Sequence, residues 1–454
     1  MNHSQKIPVI IPVETKSREF HGKLFLALEL LRRGHPVLFG DQVRLWDYCD
    51  LIEPSIYLDK SVAATRKDWF ERCLSMGHKV VSWDEEGLVF FNTWMFRKLR
   101  IDPQAFNQVE KFFAWGSVQK DAICEEYQDF SSKIVICGNP RFDFLREELR
   151  KFYLPKVQEL KNKFGKMLLV NTNFAFFNHY KTQDELKTML AHYPLADEPG
   201  YLDGWIEMHR VAHNSFIEMV PELLSRYPDY TIVVRPHPSE SHNPWLELAE
   251  NNQRLHVDAT GNVHEWILAS EAVIHFNCTT AVESYLLGIL PIAYRAEEFP
   301  RYENDLPNSL STNVYNLDEL WDALESRNDQ SFKNEFWNDG RRRIIEKHII
   351  SQSGESAAER IANEITGIAE NFEGEGTGSL VKFLRKIKRF WRINLHCYRE
   401  TVNPPDGYTD QKFPGMRKSE IEQDLKRMKQ LSSIETQFSV SKYAKNCYWL
   451  KPIV

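Results

Sequence analysis

The chain has 454 residues, 42% hydrophobic and 27% charged, with a net charge of −7. This length affords two sizeable cores, and the negative balance excludes bulk electrostatic attraction to nucleic acid. The seven cysteines show no C-x-x-C spacing, which speaks for reduced thiols in a cytoplasm and against a zinc site or disulfide framework. The amino-terminal residues lack the regions of a signal peptide, and no apolar run is long enough to span a bilayer.

The first half alternates strands and helices. Residues 7–13 predict a strand, 22–33 a helix with Leu24, Leu28 and Leu31 on one stripe, and 36–39 the next strand. Further strands are predicted at 55–58, 79–83, 112–115 and 133–137, with helices at 65–76 and 117–127 between them. Such alternation implies a parallel sheet. Ligands of open α/β sheets bind outside the carboxyl ends of the strands, so the residues that follow each strand are the candidates. The strand ending at Trp83 runs into Asp84, Glu85, Glu86 and Gly87. Three adjacent acids repel one another and raise at least one pKa, which suits a general base or a carboxylate nucleophile. The plain alternative is an acidic solvated turn. The strand ending at Cys137 runs into Gly138-Asn139-Pro140-Arg141-Phe142-Asp143. Arg141 and Asp143 either pair with each other or face a cleft. The charged helix at 145–163 reads as the connector out of the first domain.

The pattern restarts at 167–170 and ends in Asn171, Thr172, Asn173 and Phe174. An insertion rich in aromatic residues and histidine follows, through Asp197 to Asp203 and Gly204. It reads as an acceptor-side lid or as a bland loop. A helix at 205–227 leads to a strand at 232–234, which ends in Arg235, Pro236, His237 and Pro238. The strand at 272–274 leads into Asn277, Cys278, Thr279 and Thr280 and a helix carrying Glu283. A helix amino terminus presents unpaired N–H groups to an anion. This region therefore reads as a holder for a phosphate or diphosphate and its nucleotide. Helices around 317–324 and 355–368 close the second domain, and residues 373–379 have linker composition. Beyond them, residues 380–399 interleave Lys382, Arg385, Lys386, Lys388, Arg389, Arg392 and Arg399 with apolar residues at helical spacing. That pattern reads as an interfacial helix drawn to an anionic membrane surface. Its alternative is a helix packed on the protein with its cationic face solvated. The expected divisions are 1–163, 164–370 and a tail at 371–454.

Two Rossmann-like halves, with nucleotide contacts in the second, resemble the GT-B glycosyltransferase architecture. The α/β fold so implied has two Rossmann-like domains with parallel sheets facing a central cleft, followed here by a C-terminal helical tail. Thr279-Thr280-x-x-Glu283 followed by Gly288-Ile289-Leu290-Pro291 resembles the donor-binding segment of many GT-B enzymes and related epimerases. Asp84-Glu85-Glu86-Gly87 with His237-Pro238 is similar to the D/E-D/E-G and HP motifs of bacterial sialyltransferases and capsule Kdo transferases, which use CMP-activated sugars. The whole ordered set most resembles the bacterial surface carbohydrate biosynthesis protein family, over residues 5–370 or so.

The resemblance implies a CMP-sugar donor, Kdo or a related acidic sugar, and a surface polysaccharide or lipid-linked glycan as acceptor. His237, Thr279 and Thr280 would stabilise charge on the departing CMP. Arg235 would assist or pair with a structural acid, Pro238 and Asn277 would complete the nucleotide site, and Glu283 would take the ribose hydroxyls. Glu85 or Glu86, beside Asp84, would deprotonate the acceptor in an inverting enzyme or attack the anomeric carbon in a retaining one. Asp143 and Asp203 are reserve nucleophiles, and Asn139, Arg141, Asn171 and Asn173 are further cleft candidates. No cofactor and no metal is called for. The alternatives are a UDP-dependent transferase or 2-epimerase on the same fold, or a non-catalytic glycan-binding protein. The expected location is cytoplasmic, or peripheral on the inner face of the cytoplasmic membrane.

Overall fold

The computed structural model describes residues 6–191, 200–350, 352–372, 379–402 and 412–453. Residues 373–378 of the expected 373–379 linker and the 192–199 part of the insertion lie outside the described residues. The chain divides into two compact units, Met1–Leu88 with Phe96–Phe152 and Lys347–Val454, and Val89–Met95 with Tyr153–Glu346.

The first unit is built on β1 (Val9–Val13), β2 (Val37–Asp41), β3 (Ile56–Asp59), β4 (Lys79–Trp83), β5 (Val109–Ala114) and β6 (Ile134–Ile136). These six pair in parallel, in the order β2-β1-β3-β4-β5-β6. β1 and β2 are buried at every position, the pattern of strands covered on both faces. A hairpin from the far end of the chain, β13 (Phe438–Ala444) and β14 (Cys447–Pro452), extends the sheet, with β14 antiparallel to β2. Among its described residues, the tail expected to be helical therefore holds two helices, Ser379–Val402 and Lys418–Ser432, and a β-hairpin.

The second unit is built on β7 (Met167–Asn171), β8 (Thr231–Arg235), β9 (Leu255–Val257), β10 (Ala272–His275), β11 (Pro291–Tyr294) and β12 (Thr312–Val314). All are parallel, in the order β12-β11-β10-β7-β8-β9. Renumbered from its own first strand this is the Rossmann order 6-5-4-1-2-3, which reverses direction between β7 and β10.

The unit boundaries differ from the expected 163 and 370, and packing explains both. The Leu154–Phe164 helix buries Val157, Leu160 and Phe164 in the second unit, against the Val263–Ala269 helix. The Ala357–Glu370 helix, expected to close the second domain, instead packs on the Lys16–Arg32 helix of the first unit, where Ile361, Ala362 and Ile365 are fully buried. Arg32 bonds Glu359 at 3.1 Å and Arg33 bonds Asn363 at 2.9 Å across that contact.

The Gly138–Asp143 segment anchors the same junction. Both Asp143 carboxylate oxygens accept helix-start N–H groups, from Ala357 at 2.8 Å and Ala358 at 2.9 Å. Burial pushes the Asp143 pKa up to about 7 although these two donors pull it down. Asn139 caps the turn by accepting from the Arg141 N–H at 3.0 Å. The Arg141 guanidinium lies over the Trp115 and Phe142 rings, at 5.5 and 5.1 Å from their centroids. A Cβ on Gly22 would sit 2.6 Å from the Arg141 backbone nitrogen, so the helix approaches this segment as closely as it does only because position 22 is glycine. Asn139, Arg141 and Asp143, expected as cleft residues, are buried packing residues.

Candidate functional site

In the first unit the strand order reverses between β1 and β3, and the loops at their carboxyl ends carry a dense ionic network. Lys23, 2% exposed, places its ammonium 2.7 Å from Glu19, 3.2 Å from Glu85 and 2.8 Å from the Pro12 carbonyl. Glu19 also accepts the N–H groups of Glu14 at 3.0 Å and Thr15 at 3.3 Å, which ties the end of β1 to the start of the helix. Burial opposes the Glu19 charge, but Lys23 and Arg18 outweigh it and hold the pKa well below the usual range. Burial likewise opposes the Lys23 charge, and Glu19 and Glu85 more than restore it.

The three acids after β4 point three ways. Asp84 is buried, gripped by the Arg100 guanidinium with one bond at 2.9 Å. Its backbone carbonyl accepts from Trp115 Nε1 at 2.6 Å. Glu85 is buried too, bonded to Trp83 Nε1 at 2.9 Å and to Lys23. Only Glu86 puts more than half of its side chain into solvent, within 3.1 Å of Arg100 and 3.4 Å of Arg18. Desolvation would raise its pKa, but Arg100, Arg18 and Lys60 prevail and hold it below the ordinary glutamate value. The expected mutual repulsion of the acids is thus reversed at Glu86, because cations stand between them. Gly87 closes the turn where a Cβ would fall 2.0 Å from the Gln119 amide nitrogen.

In the second unit the strand order reverses between β7 and β10, beside β8. The candidates fall at the carboxyl ends of these three strands. His237 and Pro238 are exposed. His237 Nδ1 accepts the Ser239 N–H at 3.2 Å, which leaves the ring proton on Nε2. Arg235 is turned inward instead. Its guanidinium spans the carbonyls of Asp258 at 3.0 Å and Thr260 at 2.8 Å, and stacks over Trp266 at 5.1 Å. Burial lowers its pKa to about 10, only partly offset by Asp258 and Glu265. Arg235 therefore braces the loop after β9, a correction to its expected place among the nucleotide contacts.

Thr279 and Thr280 are half-buried at the start of the Thr280–Leu287 helix, which has no side-chain cap. Its first N–H groups turn inward: Ala281 donates to the Cys278 carbonyl at 3.1 Å and Val282 to the Thr279 carbonyl at 3.0 Å, and the Cys278 side chain bonds Thr280, so the expected anion-binding helix start is not left open. Asn277 adopts φ 49° between β10 and that helix. Its amide oxygen accepts from Asn304 N at 2.9 Å and Asn308 Nδ2 at 3.3 Å, so it is a buried brace for the 304–308 segment. Glu283 is an interior residue as well, 3.4 Å from His264 Nε2. Asn171 is buried, and its Nδ2 has no hydrogen-bond partner among the described residues. Asn173 is half-buried, and Asp203 is exposed in the first turn of the Tyr201–Arg226 helix.

Two features escaped the sequence reading. Glu240, 2% exposed, accepts from the Thr172 hydroxyl at 2.9 Å, the Phe174 N–H at 2.9 Å and the His237 N–H at 3.1 Å. It clamps the loop after β8 to the loop after β7. Its signal was the acid three residues beyond His237, the spacing of a capping turn. The second is one face of the Tyr201–Arg226 helix, where Trp205, His209 and His213 recur every fourth residue. His209 bonds the Asn173 backbone, and burial lowers its pKa to about 3. Among the described residues, Trp205 Nε1 and His209 Nδ1 have no hydrogen-bond partner.

Burial pushes the Glu240 carboxyl up to about 7, against the pull of its donors Phe174, Thr172, His237 and Asn178. A carboxyl whose folded pKa is raised contributes fully below its ordinary pKa, and that contribution is lost as pH rises through about 7. Glu240→Gln mimics the protonated acid and keeps one oxygen for the donors. It is expected to match wild type near pH 5 and to be the more stable protein above pH 7, by an amount on the order of 2–3 kcal/mol. Urea unfolding across that range tests this, and parallel curves for the two proteins would contradict it.

Among the described residues no group of three or more His, Cys, Asp or Glu side chains is placed to hold a metal ion. Also among them, no helix is long and apolar enough to cross a membrane.

Two Rossmann-like α/β units, one on a parallel sheet and one on a parallel sheet extended by an antiparallel hairpin, define a GT-B-like fold. No protein-family model matches the sequence, and no curated protein matches it. Among solved structures, the chain is similar to a protein from Listeria monocytogenes assigned as a UDP-N-acetylglucosamine 2-epimerase. The TM-score is 0.50 at 14% identity, over 82% of this chain and 99% of that one. The wall teichoic acid polymerase TagF gives 0.48 at 10% identity, over 81% of this chain and 89% of that one. MnaA of S. aureus, in a co-structure with UDP, gives 0.47 at 12% identity, over 82% and 99%. At these identities the likeness concerns the fold alone.

Proposed function

We propose that the chain is a glycosyltransferase that moves a sugar from a CMP-activated donor, Kdo or a related acidic sugar, to a surface polysaccharide or lipid-linked glycan. The observation that carries this reading is the exposed His237 at the carboxyl end of β8, its Nδ1 held by the Ser239 N–H. An Nε2–H so oriented can donate to a phosphate oxygen as the glycosidic bond breaks and CMP departs with the bonding pair. The Thr279 and Thr280 hydroxyls, at the start of the Thr280–Leu287 helix, would add further donors to the same charge.

Of the three acids after β4, Glu86 is the one offered to solvent, and we assign it the acceptor-side role expected of Glu85 or Glu86. In an inverting transfer it would take the acceptor hydroxyl proton as that oxygen attacks the anomeric carbon. In a retaining transfer it would attack that carbon itself. A carboxylate held below its usual pKa is a weaker base at neutral pH and a well-ionised nucleophile, which favours the second course.

A second reading rests on the shared fold of the Listeria protein assigned as a UDP-N-acetylglucosamine 2-epimerase. It makes this chain a UDP-sugar enzyme. Melting temperature and calorimetry against CMP, CDP, UDP and GDP separate the two, because a ligand of the native state raises the melting temperature by mass action. Stabilisation by CMP is the expected result. Stabilisation by UDP alone would transfer the chain to the second reading. No response to any nucleotide would overturn both and leave a glycan-binding protein.

A further inference from the structure

Among the side chains described, the Ser379–Val402 helix meets the first unit mainly with its cations. Arg392 bonds the Asp50 carboxylate at 2.6 Å and the Asp47 carbonyl. Lys388 bonds Asp50 at 2.8 Å, and Arg389 lies over the Tyr443 ring at 4.6 Å. The packed helix with a solvated cationic face, the alternative considered from sequence, is therefore not what forms. Phe383, Leu384, Ile387, Phe390, Trp391 and Leu395 are each between 41% and 68% exposed. At about 100° per residue these six share one arc about 140° wide. A run of large apolar side chains, three of them aromatic, is left in water, which is costly unless something covers it.

Beside the arc lies a cavity of about 300 Å³, between this helix and the amino-terminal end of the first sheet. Arg385, Lys386, Arg389 and Lys451 line it, with Tyr443 and Trp449 and one acid, Glu53. Lys386 belongs to both features, since it follows Phe383 by three residues and precedes Phe390 by four, at the border of the arc.

We propose that this face is a membrane-binding surface, in which the apolar arc enters the interfacial layer of an anionic phospholipid bilayer and the cation-lined cavity receives a headgroup phosphate. Charge complementarity selects this occupant. Apolar residues rich in Phe and Trp, bordered by lysines, match a layer whose acyl boundary lies just beneath negative headgroups. A second copy of the chain would seat apolar arc on apolar arc, but the twofold contact would bring the bordering Lys386 and Lys388 of both copies together. The inference concerns the amino-terminal end of the first sheet and is independent of which nucleotide the second unit binds.

The test is flotation of the full chain with vesicles of phosphatidylcholine, alone or with about 30% phosphatidylglycerol. Binding is expected to the anionic vesicles only, and to weaken as salt rises from about 0.1 to about 0.5 M. Phe390→Ser with Trp391→Ser is expected to lower the partition constant at least about tenfold. The melting temperature of that variant should not change, since both side chains are exposed. Lys386→Glu is expected to reduce binding to anionic vesicles and to restore the salt-insensitive baseline. No binding by wild type, equal binding by the double variant, or a concentration-dependent dimer that the double variant abolishes would each overturn the proposal, the last assigning the face to a second copy.

Discussion

Lys23→Met is expected to remove about 3–5 kcal/mol of stability, measured as a fall in the urea midpoint. Methionine nearly preserves the volume, so the loss is not a cavity effect. It arises because Glu19 and Glu85, both buried, share the Lys23 ammonium at 2.7 and 3.2 Å. Without it, Glu85 keeps the Trp83 indole N–H, and Glu19 keeps Arg18 and two backbone N–H groups. Glu85 is then left with a neutral donor, and Glu19 with Arg18 in place of two cations.

The pH dependence separates this account from a packing defect. The raised pKa of Lys23 means that its contribution is complete below the ordinary lysine pKa and fades only as pH rises through the folded value, so wild type has all of it at neutrality. The lowered pKa of Glu19 contributes above the ordinary glutamate pKa and is lost as pH falls through the depressed value. In the variant both carboxylates lose the Lys23 charge, and Glu19 accepts a proton more readily. The deficit should therefore shrink from about pH 7 towards about pH 5, and Glu85→Gln added to Lys23→Met should recover part of it. A loss below about 1 kcal/mol that does not vary with pH would mean that solvent reaches these groups.

The same network shows where sequence reading stops. The alternation of strands and helices was visible because parallel strands buried on both faces are short continuous apolar runs, as Val9–Val13 and Met167–Asn171 are. The positions of the candidate loops followed, since they are whatever comes after such a run. What could not be read was direction. Glu85 and Glu86 are neighbours of identical chemistry, yet one is buried on Lys23 and the other stands in solvent. Arg235 has the charge of an anion ligand, but four carbonyl groups of the 258–261 segment take it inward. Long-range pairings were equally invisible. Leu450 sits opposite Val37 in the sheet, and Asp143 holds the Ala357 and Ala358 N–H groups, because of tertiary packing that no local pattern encodes. The exposed arc of the Ser379–Val402 helix belongs to the same class: amphipathicity was legible, but not which side faces the protein.

His237→Ala is expected to lower kcat about 10²–10³-fold, the range for removing one preorganised donor to developing negative charge, and to weaken nucleotide binding. Its effect on stability should be slight. The imidazole is exposed, and the loop that carries it is fixed by backbone and by Glu240, which takes the His237 N–H at 3.1 Å and donates its own N–H to the His237 carbonyl at 2.8 Å. Loss of activity with an unchanged melting temperature would therefore report the ring and not the loop. His237→Asn supplies a neutral donor of shorter reach, so partial recovery of kcat in that variant would tie the effect to donation. If His237→Ala instead lowered the melting temperature by several degrees and left turnover intact, the histidine would be a structural residue of the turn. The phosphate would then have to be held by the hydroxyls at the start of the Thr280–Leu287 helix alone, where Thr279→Ala and Thr280→Ala would become the decisive substitutions.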